Sequence, residues 1–207
     1  RGHVVHFVTF EPTFRINAYH ANIFNHYVST ITYPLFSQPP GGLALAAKIA
    51  DVAEENDIEI WHAHYAIPNA ASAIMARDML PVEKRFRLVT TLHGTDITLV
   101  GTDPSFFRVT RYSMEQSDAV TCVSDWLKNE TQREFGLTDT VQTIYNFIDT
   151  DRFHPDSGHA ACICNQDEKV VMHISNFRPV KRVTDVVRVF NRVLEAVPNA
   201  RLVMVGD

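Results

Sequence analysis

The sequence predicts an α/β protein built from parallel sheets with helices on their faces. Three observations carry this. Short apolar runs of strand length alternate with longer stretches whose apolar residues recur at helical spacing. The order strand, helix, strand repeats along the chain, which is the pattern of βαβ units and therefore of parallel pairing. And 45% of the 207 residues are apolar, enough to bury a core and offset the entropy of ordering.

Taken in order, residues 4–10 read as a buried strand, and residues 31–36 as a weaker one demoted by Pro34. Gly41 and Gly42 open a helix expected over 43–56. Its apolar side is Leu43, Ala46, Ala47, Ala50 and Ala53, with Asp51, Glu54 and Glu55 toward water. A strand at 58–62 and a helix from Pro68 to Met79 follow, proline being favourable in a first helical turn. Then come a strand at 87–92, a helix at 105–116, a strand at 119–123, a helix at 125–135 stopped by Gly136, and a strand at 141–145. Between Asp149 and Lys169 the composition changes. Pro155, Asp156, Ser157 and Gly158 precede a polar run, which is linker chemistry. Beyond it lie a strand at 170–174, a helix at 183–197 and a strand at 201–205. The helix is expected to bury Val183, Val186, Val187, Phe190, Val193, Leu194 and Val197, and Pro198 ends it. The expected organisation is a first domain over 1–154, a linker over 155–168 and the start of a second domain over 169–207. The first residues enter a strand with no initiator Met and the last stop at a strand end, so the chain reads as a fragment. No internal repeat or low-complexity tract is visible.

Composition narrows the function. Nineteen basic against 24 acidic side chains give a net charge of −5, which argues against a nucleic-acid-binding face. No apolar run approaches the roughly 18 residues of a membrane span. Three cysteines, Cys122, Cys162 and Cys164, make no disulfide framework. The odd count fits a reducing compartment, and no secretory signal opens the chain, so a soluble cytoplasmic protein is expected.

In parallel sheets ligands bind beyond the carboxyl ends of the strands, which directs attention to the loops there. The loop Ser175-Asn-Phe-Arg-Pro-Val-Lys-Arg182 lies between a strand and a helix. It gathers Arg178, Lys181 and Arg182 around Pro179, and reads either as a pyrophosphate clamp or as a solvated basic loop. Thr91-Leu-His-Gly-Thr-Asp96 offers His93, Thr95 and Asp96 around a glycine that permits close approach. The plainer reading is a βα turn capped by Asp96. Trp61-His-Ala-His-Tyr65 places His62 and His64 on one strand face and Tyr65 on the other. With His93 they offer zinc ligands, although imidazoles at a strand end also serve polar ligands, and no metal is expected. Arg108 and Arg111 share a helix face, and Asp149 and Asp151 suit turn capping. His159, Cys162 and Cys164 lack a fourth ligand and read as non-functional. Dinucleotide, Walker A and hydrolase-elbow signatures are absent.

Four stretches together carry a resemblance: Ile60-Trp-His-Ala-His-Tyr-Ala-Ile-Pro68, Thr91-Leu-His-Gly-Thr-Asp-Ile-Thr98, Asn146-Phe-Ile-Asp149, and His173-Ile-Ser-Asn-Phe-Arg-Pro-Val-Lys-Arg182. In this order and spacing the chain resembles a family-4 glycosyltransferase of the GT-B fold, over nearly its whole length. The resemblance implies two Rossmann-like parallel-sheet domains facing a cleft, the first nearly complete here and the second truncated. It is strongest to the branch that moves N-acetylglucosamine from UDP-N-acetylglucosamine to the hydroxyl of L-malate, with retention, as the first step of bacillithiol biosynthesis. It implies that Arg178 and Lys181 grip the diphosphate, with Ser175 and Asn146 also on the donor side. His93 would lie over the reacting sugar, and Tyr65, Thr95 and Arg111 would hold the malate carboxylates. No cofactor and no divalent metal would be needed, and homo-oligomerisation is left open. The family's glycine-rich donor loop and acidic Glu-x7-Glu segment do not occur in these residues, which implies that the fragment alone is inactive. Alternatives are a family-4 enzyme with another acceptor, an epimerase of UDP-N-acetylglucosamine, or a non-catalytic ligand-binding module.

Overall fold

The structure is a computed structural model that describes residues 2–13, 21–31, 33, 34, 36–137, 141–154, 165 and 167–207. The chain divides into two compact units, residues 1–147 and 148–207, the division falling ahead of the 154 boundary expected from composition. His159, Cys162 and Cys164, and nearly all of the expected linker, lie outside the described residues.

The first unit opens with strands β1 (Val5–Thr9) and β2 (Ile23–Tyr27), paired in parallel with Val5 opposite Ile23 and Thr9 opposite Tyr27. β2 was not expected. Its polar centre at Asn25 and His26 hides it from an apolar-run criterion, yet both side chains are satisfied across the pair. His26 Nε2 lies 2.9 Å from His6 Nδ1, and Asn25 accepts from Thr13 at 3.0 Å. The strand expected at 31–36 is not formed by the described residues there.

Helix α1 (Gly41–Glu55) precedes β3 (Ile60–His64), a wide turn at Ala66–Ala70 and α2 (Ala71–Met79). The buried face of α1 is Leu45, Ala46, Ile49, Val52 and Ala53, rotated from expectation, while Leu43 is 56% exposed. The bulkier Leu45, Ile49 and Val52 remove more apolar area from water than the alanines and set the rotation. Next come β4 (Arg87–Leu92), the short helix α3 (Thr95–Thr98), α4 (Phe107–Glu115), β5 (Ala119–Cys122), α5 (Asp125–Phe135) and β6 (Val141–Thr143). Ser124 accepts the Leu127 N–H as N-cap of α5, and Gly136 ends that helix in the left-handed region.

Strands β3, β4, β5 and β6 form one parallel sheet in sequence order. One core cluster joins α1, β3 and α2 to Phe86 and Leu88. A second gathers Leu92, Ile97, Met114, Val120, Leu127, Phe135 and Val141. Asp118, at the turn before β5, accepts the Leu88 N–H and ion-pairs with Arg77 and Arg87, tying α2 and β4 together.

The second unit contains β7 (Lys169–Ile174), α6 (Val183–Ala196) and β8 (Ala200–Val205), with β7 and β8 parallel. The apolar residues of α6 are only half-buried, and Val187 is 51% exposed, against the expectation of a buried face. Two strands cover only part of the helix and leave a groove of about 390 Å³ lined by Val171, Val186, Val189 and Phe190 with Lys181 and Arg182. Among the described residues no helix is long and apolar enough to cross a membrane.

Candidate active site

The carboxyl ends of β3 and β4 lie side by side, with His64 opposite Thr91. His62 and His64 share a face, as period-2 alternation requires, and their rings stack with centroids 4.5 Å apart. His62 Nε2 lies 2.6 Å from the Thr91 hydroxyl, which lies 2.6 Å from the Thr121 hydroxyl on β5. His64 Nδ1 lies 2.8 Å from Nε2 of His93, just past β4. Burial, and then the neighbouring imidazoles, hold the His62 and His64 rings below the ordinary histidine range, because a second positive charge in the cluster is unfavourable.

Tyr65 departs from its expected place. Alternation would send it to the face away from His64, but its φ of 75° interrupts the strand, and its N–H donates to the Thr91 carbonyl at 2.9 Å. Its ring then lies 4.9 Å from that of His93, which His64 also contacts at 5.1 Å between centroids. Sequence alternation cannot foresee a left-handed residue at a strand end.

The loop after β4 is organised by Asp96, 3% exposed. Its carboxylate accepts from the N–H groups of His93 at 3.2 Å, Gly94 at 3.0 Å and Ala66 at 3.1 Å. Two of these are the turn capping expected of it. The third crosses to the segment after β3 and locks the two loops together. Gly94 has φ 114°, a conformation open to glycine and strained for other residues. Thr95, the first residue of α3, is exposed. Thr91, Thr121 and Asp96 were not singled out as parts of a network. The available signal was the threonines at paired positions of neighbouring buried strands.

Arg111 is on α4 and bonds Glu115 at 2.7 Å, so that among the described residues its ionic partner is a helix neighbour and not the imidazole cluster. Arg108, on the same helix, is exposed. Asn146 is exposed beyond β6, and Asp149 accepts the N–H groups of Asp151 and Arg152, as turn capping requires. Among the described residues no group of three or more His, Cys, Asp or Glu side chains is arranged to hold a metal ion.

In the second unit the loop at 175–182 joins β7 to α6. The Ser175 N–H donates to Val205, and the Ser175 hydroxyl lies 2.7 Å from His173 Nε2. Arg182 differs from the other two cations in having a carboxylate partner. Its backbone is left-handed, with φ 50°, and its guanidinium pairs at 2.7 Å with Asp185, which also takes Arg188 at 3.1 Å. These guanidiniums hold the Asp185 carboxyl below its usual range. Arg178 and Lys181 form no ion pair among the described residues and are exposed.

Parallel sheets with imidazoles and hydroxyls at the strand ends, and a basic loop between a strand and a helix, define an α/β protein of the class in which ligands bind beyond the carboxyl ends of the strands. The chain belongs to glycosyltransferase family 4, whose sequence profile matches residues 1–152. It is 44% identical over its whole length to the N-acetyl-alpha-D-glucosaminyl L-malate synthase of Bacillus anthracis, of which it covers 54%. Over 47% of the chain it is 26% identical to an uncharacterized glycosyltransferase of Methanocaldococcus jannaschii, covering 26% of that protein. A solved glycosyltransferase from Rickettsia africae superposes with a TM-score of 0.51 at 14% identity, covering 89% of this chain and 55% of that one. That likeness is one of fold. The chain thus spans about half the length of the Bacillus protein and of the Rickettsia structure.

Proposed function

We propose that the protein bearing this sequence transfers N-acetylglucosamine from UDP-N-acetylglucosamine to the hydroxyl of L-malate, with retention of configuration. The observation that carries the reading is the 44% identity, across every part of this chain, to a protein named for that product. The chemistry of the site supports it. Transfer breaks the bond from the anomeric carbon to the β-phosphate oxygen and forms one to the malate hydroxyl oxygen. The hydroxyl proton passes to the departing phosphate. Negative charge builds on that phosphate, and Arg178 and Lys181, the loop's cations that form no ion pair among the described residues, are there to meet it. Arg182, held by Asp185, serves the loop's shape instead. Ser175 and Asn146 belong to the donor side. Tyr65, Thr95 and Arg111 belong to the dicarboxylate, with Arg111 exchanging Glu115 for a malate carboxylate. His93 stands at the reacting sugar. The reaction so drawn needs neither metal nor cofactor.

The test separates the half-sites. UDP and L-malate are titrated against the 207-residue chain and its Arg178→Ala and Arg111→Ala variants. Arg178→Ala is expected to weaken UDP at least tenfold and leave malate unchanged, and Arg111→Ala the reverse. Preference for an inositol or sugar phosphate over L-malate at the Arg111 site would replace the acceptor. Binding of neither ligand would remove the reading altogether.

A further inference from the structure

The contact between His64 Nδ1 and His93 Nε2, 2.8 Å, is a hydrogen bond between two ring nitrogens and has room for one hydrogen only. Two neutral arrangements satisfy it. In one, His93 carries its proton on Nε2 and donates to a bare Nδ1 of His64, whose own proton sits on Nε2. In the other, His64 donates from Nδ1, and both rings are forced into the Nδ1–H tautomer. The first places both imidazoles in the form that neutral imidazole side chains favour in water, and the second places neither there. Nothing among the described side chains opposes this choice, since the other nitrogens, His64 Nε2 and His93 Nδ1, have no hydrogen-bond partner among them. The geometry around His64 is fixed from two further sides. Its ring stacks on His62, whose Nε2 is anchored to Thr91, and its backbone carbonyl accepts from Asn69 at 2.8 Å.

We propose that His64 is a positioning residue for His93: by accepting the Nε2–H of His93 it leaves Nδ1 of His93 as a bare acceptor for a ligand hydroxyl at the end of β4. The hydroxyl class rests on the transferase reading, in which both donor sugar and acceptor carry hydroxyls. The hydrogen-bond assignment does not rest on it. The other titratable groups around the pair are His62 and Tyr65 on the β3 side and Asp96 on the β4 side. The Asp96 carboxylate is engaged by three backbone N–H groups, one of them that of His93 itself. It therefore fixes the backbone of His93 while His64 fixes the ring. This is the arrangement in which one nitrogen is set by the hydrogen bond that the other makes.

The test is a long-range proton–nitrogen correlation spectrum of the uniformly nitrogen-15-labelled 207-residue chain at neutral pH, with no ligand. A single His93 tautomer is expected, protonated at Nε2 and bare at Nδ1, with His64 also bare at Nδ1. In His64→Leu the single tautomer is expected to be lost to a mixture. His64→Asn, whose side-chain oxygen stands near the position of Nδ1 and accepts as it did, is expected to restore it. A wild-type His93 protonated on Nδ1 overturns the proposal. So does an unchanged His93 tautomer in a folded His64→Leu variant, foldedness being read from the amide signals of β4 and β5. Should His64→Leu fail to fold, the wild-type tautomer and His64→Asn decide alone. Because no substrate is present, failure here leaves the transferase reading intact, and failure to bind UDP or malate leaves the His64–His93 assignment intact.

Discussion

Asp96 and the histidines around it set how far the strand-end loops tolerate change. Replacing Asp96 with Ala leaves the buried N–H of Ala66 and the part-buried N–H groups of His93 and Gly94 without their acceptor. At roughly 1 kcal/mol or more for each orphaned donor, the loss should be about 3 kcal/mol, read as a lower urea midpoint. Asp96→Asn keeps one acceptor oxygen and should lose about half of that. A null effect would show that water replaces the carboxylate there. The histidines give a second prediction. The rings of His26, His62 and His64 are held below the ordinary value of 6.5, by burial first and by neighbouring charges after it. The unfolded chain therefore binds protons that the folded one refuses. Stability is complete above pH 6.5 and is lost as pH falls through the window below it, down to the folded values. Asp118, whose carboxyl is held low by Leu88 and the guanidiniums against the opposing effect of burial, acts in the same direction, but only as pH falls below 3.8. Urea midpoints measured from about pH 8 down to about pH 5 should decline, and the His62→Gln/His64→Gln double variant should flatten most of the slope, His26 supplying the remainder. At this scale the sequence disclosed His62, His64 and His93 through spacing and strand order. It named Tyr65 but could not disclose where its ring lies, because the positive φ there is not written in the alternation of the strand.

Elements were legible where local chemistry and tertiary context agreed. Helix α5 carries its own start and stop in Ser124 and Gly136, and its expected and observed bounds coincide. β2 carries no such signals. Its stability comes from partners on β1 and in the segment beyond it, which no reading of residues 23–27 alone can supply. The rotation of α1 was missed because helical spacing fixes a period, while the phase is decided by which side chains are large. The junction of β7 with β8 yields a prediction of its own. A Cβ on Gly206 would stand 1.8 Å from the Ser175 carbonyl oxygen and 2.8 Å from the Phe177 ring, and φ there is 151°. Gly206→Ala should therefore push the 175–182 loop away from β8, at about 2 kcal/mol or more, and weaken UDP in proportion. Wild-type amide signals for Ser175, Phe177 and Arg178 in that variant would contradict the close approach.

At the scale of the chain, burial is distributed unevenly. Every described residue that is fully buried belongs to residues 1–147, including both core clusters, whereas in 148–207 the best-covered side chains of β7, α6 and β8 are half-buried. A unit so small buries a modest fraction of its surface and has correspondingly little stability of its own. The amphipathic pattern of α6 was plain in the sequence, but periodicity reports which face would bury and cannot report how much sheet stands against it. Hydrogen exchange should thus resolve two levels, with amides of β7, β8 and α6 exchanging far faster than those of β3, β4 and β5. Ligand linkage makes the difference diagnostic of function. A ligand held only by the folded loop at 175–182 adds about 2.7 kcal/mol to that unit at a concentration of 100 Kd, which slows exchange about a hundredfold. UDP should produce that slowing in β7, β8 and α6 and leave β3 to β5 nearly unchanged, while Arg178→Ala, at the same UDP concentration, should cut it to about tenfold or less. Equal slowing across both units, or slowing undiminished in Arg178→Ala, would place the nucleotide somewhere other than the basic loop.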